Sequence, residues 1–284
     1  MLLREFISKG EASLQEIYPE GEAKNIISLL VSEVLGVDRY AHIINPSLEV
    51  DPSKIPALES SLERLRAWEP IQYVLGYEEF MGRRFKVDSS TLIPRPETEV
   101  LCREVLSRVS AFSSPRILDL CTGSGCIAWT LSLSVPGSDV VGVDISEKAL
   151  EVSRDQFSEG NAPSFYEGDI FSEPKDYGRE RFDIIVSNPP YILPRERSQM
   201  RRNVLDYEPA LALFTSEEDP LSPYRAIAHW AEVLLAPKGF GIVEINEHLS
   251  EETAAVFRDE GFEKVEIIPD FYEKFRFVLF EKRL

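Results

Sequence analysis

Two glycines, Gly123 and Gly125, stand between a run of residues typical of a buried strand and a run typical of a helix. The strand pattern covers Arg116–Leu120 and the helix pattern starts at Cys126. A glycine turn in this place points backbone N–H groups and bare Cα atoms at whatever lies above the sheet. The sequence therefore predicts an α/β fold in which this turn forms a binding site of the nucleotide type.

Strand and helix patterns alternate from this turn to the end of the chain, which indicates a sheet with parallel crossovers. The last two strand patterns lie too close together for a helical crossover, so they should pair antiparallel. The predicted strands are 116–120, 139–143, 164–167, 182–187, 239–245, 263–268 and 275–280, and the predicted helices are 97–109, 126–133, 147–157, 224–235 and 251–260.

The first part of the chain has helical patterns instead. Residues 22–35 have apolar side chains three and four positions apart. A second helical pattern covers residues 55–68, and a weaker one covers about the first fifteen residues. Residues 77–87 alternate around a central Gly82, which is typical of a β-hairpin. We therefore expect a helical domain over residues 1–75, a hairpin linker over 76–92 and an α/β domain over 93–284.

Composition excludes several classes of protein. The formal charge of −18 repels polyanions, which weighs against stable binding to nucleic acid. No apolar run is long enough for a signal peptide or a membrane span, so we expect a cytoplasmic protein. The three cysteines and three histidines are not at ligand spacing, so we expect no metal. Residues 195–202 carry four arginines, for which a solvated loop or helix face is favoured over a basic patch.

Two ligands fit the glycine turn, a dinucleotide and S-adenosylmethionine. Asp144 ends the next strand about twenty residues further on, where a carboxylate can accept both hydroxyls of a ribose. Asp119 favours S-adenosylmethionine, because a carboxylate before the turn would repel a pyrophosphate but can pair with the ammonium of a methionine moiety. Asp169 follows the third strand and could accept the adenine amino group, or it could be only a turn aspartate.

The strand at 182–187 runs directly into Asn188-Pro-Pro-Tyr191. The prolines lack N–H groups and have a fixed φ, so the Asn188 side chain and the Pro189 carbonyl can be held as two acceptors. A planar NH₂ group satisfies both, and Tyr191 can pack on its flat face. The pattern favours methyl transfer to an amide-type nitrogen without a general base. The predicted catalytic residues are Asn188, Pro189 and Tyr191, and Pro190 joins them in binding the acceptor.

Together these motifs resemble the amino-methyltransferases of the class I fold, and four segments narrow the match. Gln72-Tyr-Val-Leu-Gly76, Leu92-Ile-Pro-Arg-Pro-Glu-Thr-Glu99, residues 119–128 and residues 187–192 look like the HemK/PrmC family of peptide chain release factor glutamine methyltransferases. The resemblance covers nearly the whole chain.

This resemblance implies a Rossmann-like, class I methyltransferase sheet with S-adenosylmethionine as the methyl donor. It implies N5-methylation of the glutamine in the Gly-Gly-Gln loop of class 1 release factors, held by residues 188–191, and contact between the helical domain and the release factor. The predicted donor-binding residues, from the motifs and the resemblance together, are Asp119, Cys121, Thr122, Gly123, Ser124, Gly125, Asp144, Asp169, Ile170 and Asn188.

The chain departs from the family pattern at three places. Phe214-Thr-Ser216 stands where a glycine pair is usual, Asn246 stands where glycine usually follows Glu244-Ile, and residues 269–276 are atypical. Arg95 and Glu97 lie in a family motif near the substrate entrance, but proline plus acidic residues also simply starts a helix. The rival functions are a nucleic-acid amino-methyltransferase acting on adenine N6 or guanine N2, a dinucleotide oxidoreductase, and a binding module without catalysis.

Overall fold

The computed structural model of this protein describes residues 1–158 and 160–283. The chain divides into two compact units. The first consists of Met1–Tyr77 and Arg201–Tyr207, and the second of Glu78–Met200 and Glu208–Leu284. In the described part of the chain, no helix has the length and apolar composition needed to cross a bilayer.

The first unit is built from helices around its own apolar core. The apolar stripe predicted over residues 22–35 is the buried face of its longest helix, and Ile27 and Leu30 are fully buried. Gly36 follows this helix with a φ of 67°, a left-handed conformation that glycine adopts without steric penalty. The helices are α1 Leu3–Leu14, α2 Glu20–Leu35, α3 Ala41–Ile44, α4 Ile55–Arg66 and α5 Ile71–Leu75, with a 3-10 turn at Pro52–Lys54.

The second unit contains a two-stranded hairpin, a seven-stranded sheet and the remaining helices. The strands are β1 Tyr77–Phe80 and β2 Arg83–Lys86 in the hairpin, then β3 Arg116–Leu120, β4 Asp139–Asp144, β5 Ser164–Glu167, β6 Phe182–Ser187, β7 Leu235–Glu244, β8 Glu263–Pro269 and β9 Phe275–Glu281. The helices from here on are α6 Thr98–Arg108, α7 Cys126–Ser134, α8 Glu147–Arg154, α9 Arg202–Tyr207 in the first unit, α10 Ala210–Leu213, α11 Ser222–Leu234 and α12 Ser250–Asp259, with 3-10 turns at Val109–Ala111, Pro194–Gln199 and Glu247–Leu249.

The sheet has the order β5-β4-β3-β6-β7-β9-β8. Strand β9 runs antiparallel to β7 and β8, and the pairs from β5 to β7 are parallel. Side chains alternate between the faces, so that Ile184 packs with α6 and α7 whereas Ile185 packs with α11 and α12. The predicted α/β methyltransferase fold with an antiparallel last strand is therefore confirmed.

Two predicted boundaries were wrong. Helix α8 ends at Arg154 rather than at residue 157, and the chain turns there to place the buried Gln156. The Gln156 amide accepts from the N–H of Lys86 at 2.7 Å and donates to the carbonyl of Ser124 at 2.9 Å, so it ties the hairpin to the glycine turn. Strand β7 begins at Leu235 rather than at residue 239, through an irregular stretch in which Lys238 has a φ of 65°.

The four arginines of residues 195–202 face acidic or aromatic partners. Arg195 pairs with Glu217 at 2.5 Å in the second unit. In the first unit, Arg201 pairs with Glu22 at 2.6 Å and Arg202 with Asp206 at 2.7 Å. Arg197 Cζ lies 5.6 Å from the centroid of the Phe214 ring, and Arg202 Cζ lies 5.8 Å from the centroid of the Trp68 ring. These pairings favour the predicted solvated loop or helix face, because each arginine already has a partner within the chain.

Candidate active site

The three motifs of the sequence meet at the carboxyl edge of the sheet. In β3, Leu120 pairs with Val143 of β4 and with Ser187 of β6. The residues that follow these three are Cys121, Asp144 and Asn188, so they lie side by side where their strands end. This is the edge at which open α/β sheets bind their ligands.

Asp119 holds the glycine turn from inside the protein. Its fully buried carboxylate accepts from the hydroxyl of Thr122 at 2.6 Å and from the N–H of Ala128, in the first turn of α7, at 3.2 Å. The other oxygen, Oδ1, has no hydrogen-bond partner among residues 1–158 and 160–283. Burial raises the pKa of the Asp119 carboxyl to about 7. An unpartnered buried carboxylate oxygen suits a cationic group, such as an ammonium, brought by a ligand.

The two glycines have different roles in the turn. Gly123 has a φ of 55°, and a Cβ placed on it would meet no atom within 4 Å. Gly125 has a φ of 78°, but a Cβ there would come within 2.9 Å of the Ser153 Cβ and 3.1 Å of the Phe165 ring. Gly123 therefore leaves space open in the cavity, whereas Gly125 allows close packing inside the protein.

Asp144 is oriented by backbone donors. Its Oδ2 accepts from the N–H of Gly123 at 2.8 Å and its Oδ1 from the N–H of Ser146 at 2.9 Å. Burial raises the pKa of this carboxyl, and both backbone hydrogen bonds oppose the rise. Each oxygen retains a lone pair for a hydroxyl donor, so the carboxylate can accept the two hydroxyls of a ribose.

One cavity gathers most of the predicted residues. Asp169 lines it and also accepts from the N–H of Phe171 at 2.9 Å, so it is a turn aspartate as well as a wall residue. Ile145 and Phe171 were missed by sequence reasoning, although they line the cavity and are 48% and 63% exposed. The signal was a large apolar residue next to each of the predicted Asp144 and Ile170. The predicted residues in the wall are Cys121, Thr122, Gly123, Ser124, Asp144, Asp169, Ile170, Asn188 and Pro190.

Four of the predicted residues do not line the cavity, namely Asp119, Gly125, Pro189 and Tyr191. Asp119 and Gly125 shape the glycine turn, and Pro189 is buried in the Asn188-Pro-Pro-Tyr191 turn. Tyr191 is half-buried, and its hydroxyl donates to Glu244 at 2.9 Å. Their predicted contacts with donor or acceptor remain predictions.

The Asn188-Pro-Pro-Tyr191 turn presents two unused acceptors. The Asn188 amide donates through Nδ2 to the hydroxyl of Thr98 at 3.3 Å. In the part of the chain that the structure describes, neither Oδ1 of Asn188 nor the carbonyl oxygen of Pro189 accepts a hydrogen bond. Two acceptors on one rigid turn can bind the two hydrogens of a planar NH₂ group.

Three residues that sequence reasoning did not select stand behind this turn. Glu244, at the end of β7 and 1% exposed, accepts from Thr98 at 2.7 Å as well as from Tyr191. Burial raises the pKa of Glu244, and the two hydroxyl donors oppose the rise. Asn246, at the position where the family usually has glycine, donates to the Tyr191 carbonyl at 3.3 Å and to Glu196 at 3.1 Å.

Arg95 and Glu97 have separate places. Arg95 lines the cavity and pairs with Glu208 at 2.6 Å, although the Glu208 side chain is only 1% exposed. The Ile93 N–H also donates to Glu208 at 3.1 Å, so the pair joins two segments of the cavity wall. Glu97 directly precedes Thr98, the first residue of α6, as expected for a residue at a helix start.

Cys121 and Cys126 also line the cavity. Burial raises the pKa of both thiols, that of Cys126 to about 12, so they stay protonated at neutral pH and serve as small packing groups. Within residues 1–158 and 160–283, no cluster of histidine, cysteine or acidic side chains could hold a metal ion.

Two family models match the chain. Residues 5–76 match the family model of the PrmC N-terminal domain, and residues 97–206 match that of the methyltransferase small domain. A methyltransferase structure from Pyrococcus furiosus aligns with a TM-score of 0.50 at 16% identity, over 80% of this chain and 98% of that one, which shows the fold alone.

Two relatives match over nearly their whole length. A release factor glutamine methyltransferase of Bacteroides thetaiotaomicron is 40% identical over 265 residues, which cover 93% of this chain and 94% of the relative. One of Flavobacterium psychrophilum is 34% identical over 282 residues, which cover 98% of each chain. With its methyltransferase domain and its PrmC N-terminal domain, the chain therefore belongs to the family of release factor glutamine methyltransferases.

Proposed function

We propose that this enzyme transfers a methyl group from S-adenosylmethionine to the side-chain amide nitrogen of the glutamine in the Gly-Gly-Gln loop of class 1 peptide chain release factors. The observation that carries this proposal is the Asn188-Pro-Pro-Tyr191 turn, where Asn188 and Pro190 line the cavity and the Asn188 Oδ1 and Pro189 carbonyl oxygens accept no hydrogen bond from the described residues. A primary amide has two hydrogens on one planar nitrogen, and so it matches these two acceptors.

The residues of the cavity fit the proposed methyl donor. Asp119 Oδ1 has no hydrogen-bond partner among the described residues, and it would accept a hydrogen bond from the ammonium of the methionine part. The space open over Gly123 admits the ligand close to the backbone, and the Asp144 carboxylate would accept the ribose hydroxyls. Ile145 and Phe171 offer exposed apolar surface for the flat face of the adenine. We propose these contacts for the donor and no metal in the reaction.

The acceptor amide is a weak nucleophile because its nitrogen lone pair is delocalised into the carbonyl. The oxygens of Asn188 and Pro189 would accept its two hydrogens, which raises electron density on nitrogen and aims it at the donor. Tyr191 would pack on the flat face of the amide. These three residues are the proposed catalytic group, with Pro190 completing the binding site for the glutamine.

When bound, the donor supplies an electrophilic methyl group on a positively charged sulfur. The sulfur–methyl bond breaks on transfer, and a neutral thioether remains. The amide nitrogen gains one carbon–nitrogen bond and loses one hydrogen as a proton. The nitrogen becomes strongly acidic only once it is methylated, so the proton can leave to water and no general base is needed.

The first unit, with the PrmC N-terminal domain over residues 5–76, is the proposed contact for the body of the release factor. We retain the functional division into a helical domain over 1–75, a hairpin linker over 76–92 and a methyltransferase domain over 93–284 as part of this proposal. Because the proposed acceptors act in translation, the cytoplasm is the proposed place of action.

The test is to incubate the protein with labelled S-adenosylmethionine and three acceptors in parallel, namely a release factor with Gly-Gly-Gln, duplex DNA and ribosomal RNA. Peptide mass spectrometry then locates the label. We expect label on the glutamine of the Gly-Gly-Gln loop and none on either nucleic acid. Label on nucleic acid alone would overturn the proposed acceptor, and bound nicotinamide cofactor without methyl transfer would overturn the proposed reaction.

A further inference from the structure

Asn188, Thr98, Glu244 and Tyr191 form one hydrogen-bonded chain behind the proposed acceptor site. Asn188 Nδ2 donates to Thr98 Oγ1 at 3.3 Å, and Thr98 Oγ1 donates to Glu244 Oε2 at 2.7 Å. The Tyr191 hydroxyl donates to Oε1 of the same carboxylate at 2.9 Å. Glu244 therefore joins both ends of the Asn188–Tyr191 turn from the end of β7.

The donors and acceptors in this hydrogen-bonded chain determine the orientation of the Asn188 side-chain amide. A threonine hydroxyl has a single hydrogen, and an ionised carboxylate has none, so the Thr98 hydrogen is used on Glu244. Thr98 Oγ1 can then only accept from Asn188, and the Nδ2 end of the amide is the end with hydrogens. Oδ1 is therefore left for the acceptor side of the turn.

Glu244 is buried, and it has two hydroxyl donors and one nearby cation. Burial raises the pKa of this carboxyl, but the hydrogen bonds from Thr98 and Tyr191 lower it, and the nearby positive charge of Arg276 lowers it further. Arg276 itself pairs with Asp270 at 3.4 Å. Two hydroxyl donors and one cation thus oppose the cost of burying one carboxylate.

We infer that Thr98 and Glu244 are positioning residues that hold the Asn188 amide with its oxygen towards the acceptor, and so make the site selective for a primary amide over a carboxylate. The inference rests on the proposed function. An acceptor with an NH₂ group meets two oxygens that accept its hydrogens. A glutamate in the same place meets two oxygens that repel its carboxylate. If the Thr98 hydroxyl is lost, Asn188 can turn over and offer its own NH₂ group to a carboxylate.

The test compares Thr98→Val, which removes the hydroxyl at nearly constant volume, with Thr98→Ser, which keeps it. Thr253→Val is the matched control, because Thr253 is also fully buried and its hydroxyl has no partner among the described residues. The readouts are kcat and KM for methylation of a Gly-Gly-Gln release factor, and competitive inhibition by the same factor with Gly-Gly-Glu. Melting temperature and donor affinity are measured on each variant.

For Thr98→Val we expect a loss in kcat of about 10- to 100-fold, because a misoriented Asn188 amide no longer aims the acceptor nitrogen at the methyl group. We expect the donor affinity to be nearly unchanged. We also expect the preference for Gly-Gly-Gln over Gly-Gly-Glu to narrow by about tenfold, which is the value of one lost hydrogen bond to a polar group. Thr98→Ser should retain most of the activity and the preference, and Thr253→Val should match the wild type.

Glu244→Gln keeps the inference testable if Thr98→Val does not fold. The new amide can donate to Thr98, which frees the threonine hydrogen for Asn188 Oδ1, so the same narrowing of preference is expected. Unchanged preference in folded Thr98→Val or Glu244→Gln would overturn the inference while the proposed function stands. Failure of the wild type to methylate the glutamine would overturn the proposed function first, and the inference with it.

Discussion

Substituting Gly123 or Gly125 by alanine should separate ligand binding from packing within one turn. Both glycines have positive φ, of 55° and 78°, where an L-residue costs about 1–2 kcal/mol. At Gly123 the new Cβ meets no atom within 4 Å, so this backbone cost is the whole expected loss in stability. At Gly125 the Cβ would lie 2.9 Å from Ser153 Cβ, and overpacking adds about 1–3 kcal/mol. We therefore expect Gly125→Ala to lower the free energy of unfolding by about 2–5 kcal/mol.

The expected effects on the methyl donor run in the opposite order. The Cβ of Gly123→Ala would occupy the open space of the cavity, so donor affinity should fall at least about tenfold, or roughly 1.4 kcal/mol. Gly178→Ala is the control, because Gly178 also has a φ of 78° and open space around a Cβ but does not line the described cavity. Urea unfolding gives the stabilities and isothermal titration gives the affinities. Equal donor affinity in Gly123→Ala and Gly178→Ala would show that the donor does not use the open space at Gly123.

Three further outcomes are expected. The folded Asp119 carboxyl has a pKa of about 7 whereas the unfolded chain has 3.8, so the stability that it contributes is present at low pH and is lost as pH rises towards 7, by up to about 1.4 kcal/mol per pH unit. Asp119→Asn should remove this dependence of the free energy of unfolding on pH. The same dependence on pH in Asp119→Asn as in the wild type would contradict this. Arg95→Ala leaves the carboxylate of Glu208 buried without its cation, so it should lower the free energy of unfolding by about 1–3 kcal/mol, measured by urea unfolding. Arg195→Ala breaks the exposed pair with Glu217 and should lower it by only about 0–0.5 kcal/mol. Asn246→Gly loses the hydrogen bonds to Tyr191 and Glu196 and should cost about 1–2 kcal/mol in the same measurement, and an unchanged stability would show that these bonds contribute nothing.

The sheet could be predicted because its strands have strong local signals. Arg116–Leu120 and Phe182–Ser187 are compact apolar runs that end at a glycine turn and at a proline pair, so their ends were correct. The start of β7 was missed because Pro237, Lys238 and Gly239 are typical of a turn, whereas the structure includes them in an irregular strand. Leu235 and Phe240, on either side of them, pair with Phe182 and Ile184 of β6, so the strand begins before the irregular stretch.

The support of the site could not be predicted, because it depends on pairs far apart in the chain. Thr98 and Glu244 meet across 146 positions, and Ile93 and Glu208 across 115. In both pairs, no sequence pattern around one residue indicates that the other is its partner. In the same way, nothing local indicates that Arg201–Tyr207 belongs to the first unit. Its contacts with that unit join residues far apart in the chain: Arg201 with Glu22, Arg202 with Trp68 and Tyr207 with Ala67.

The role of the Asn188 amide is tested by single-turnover methyl transfer to a Gly-Gly-Gln release factor, with the wild type and Asn188→Ala compared and donor binding measured on the same samples. We predict label on the glutamine amide with the wild type. We predict transfer slower by about 100-fold or more in Asn188→Ala, because one of the two acceptors for the reacting NH₂ group is removed. Equal rates in the two proteins, or label on any other residue of the release factor, would contradict the account.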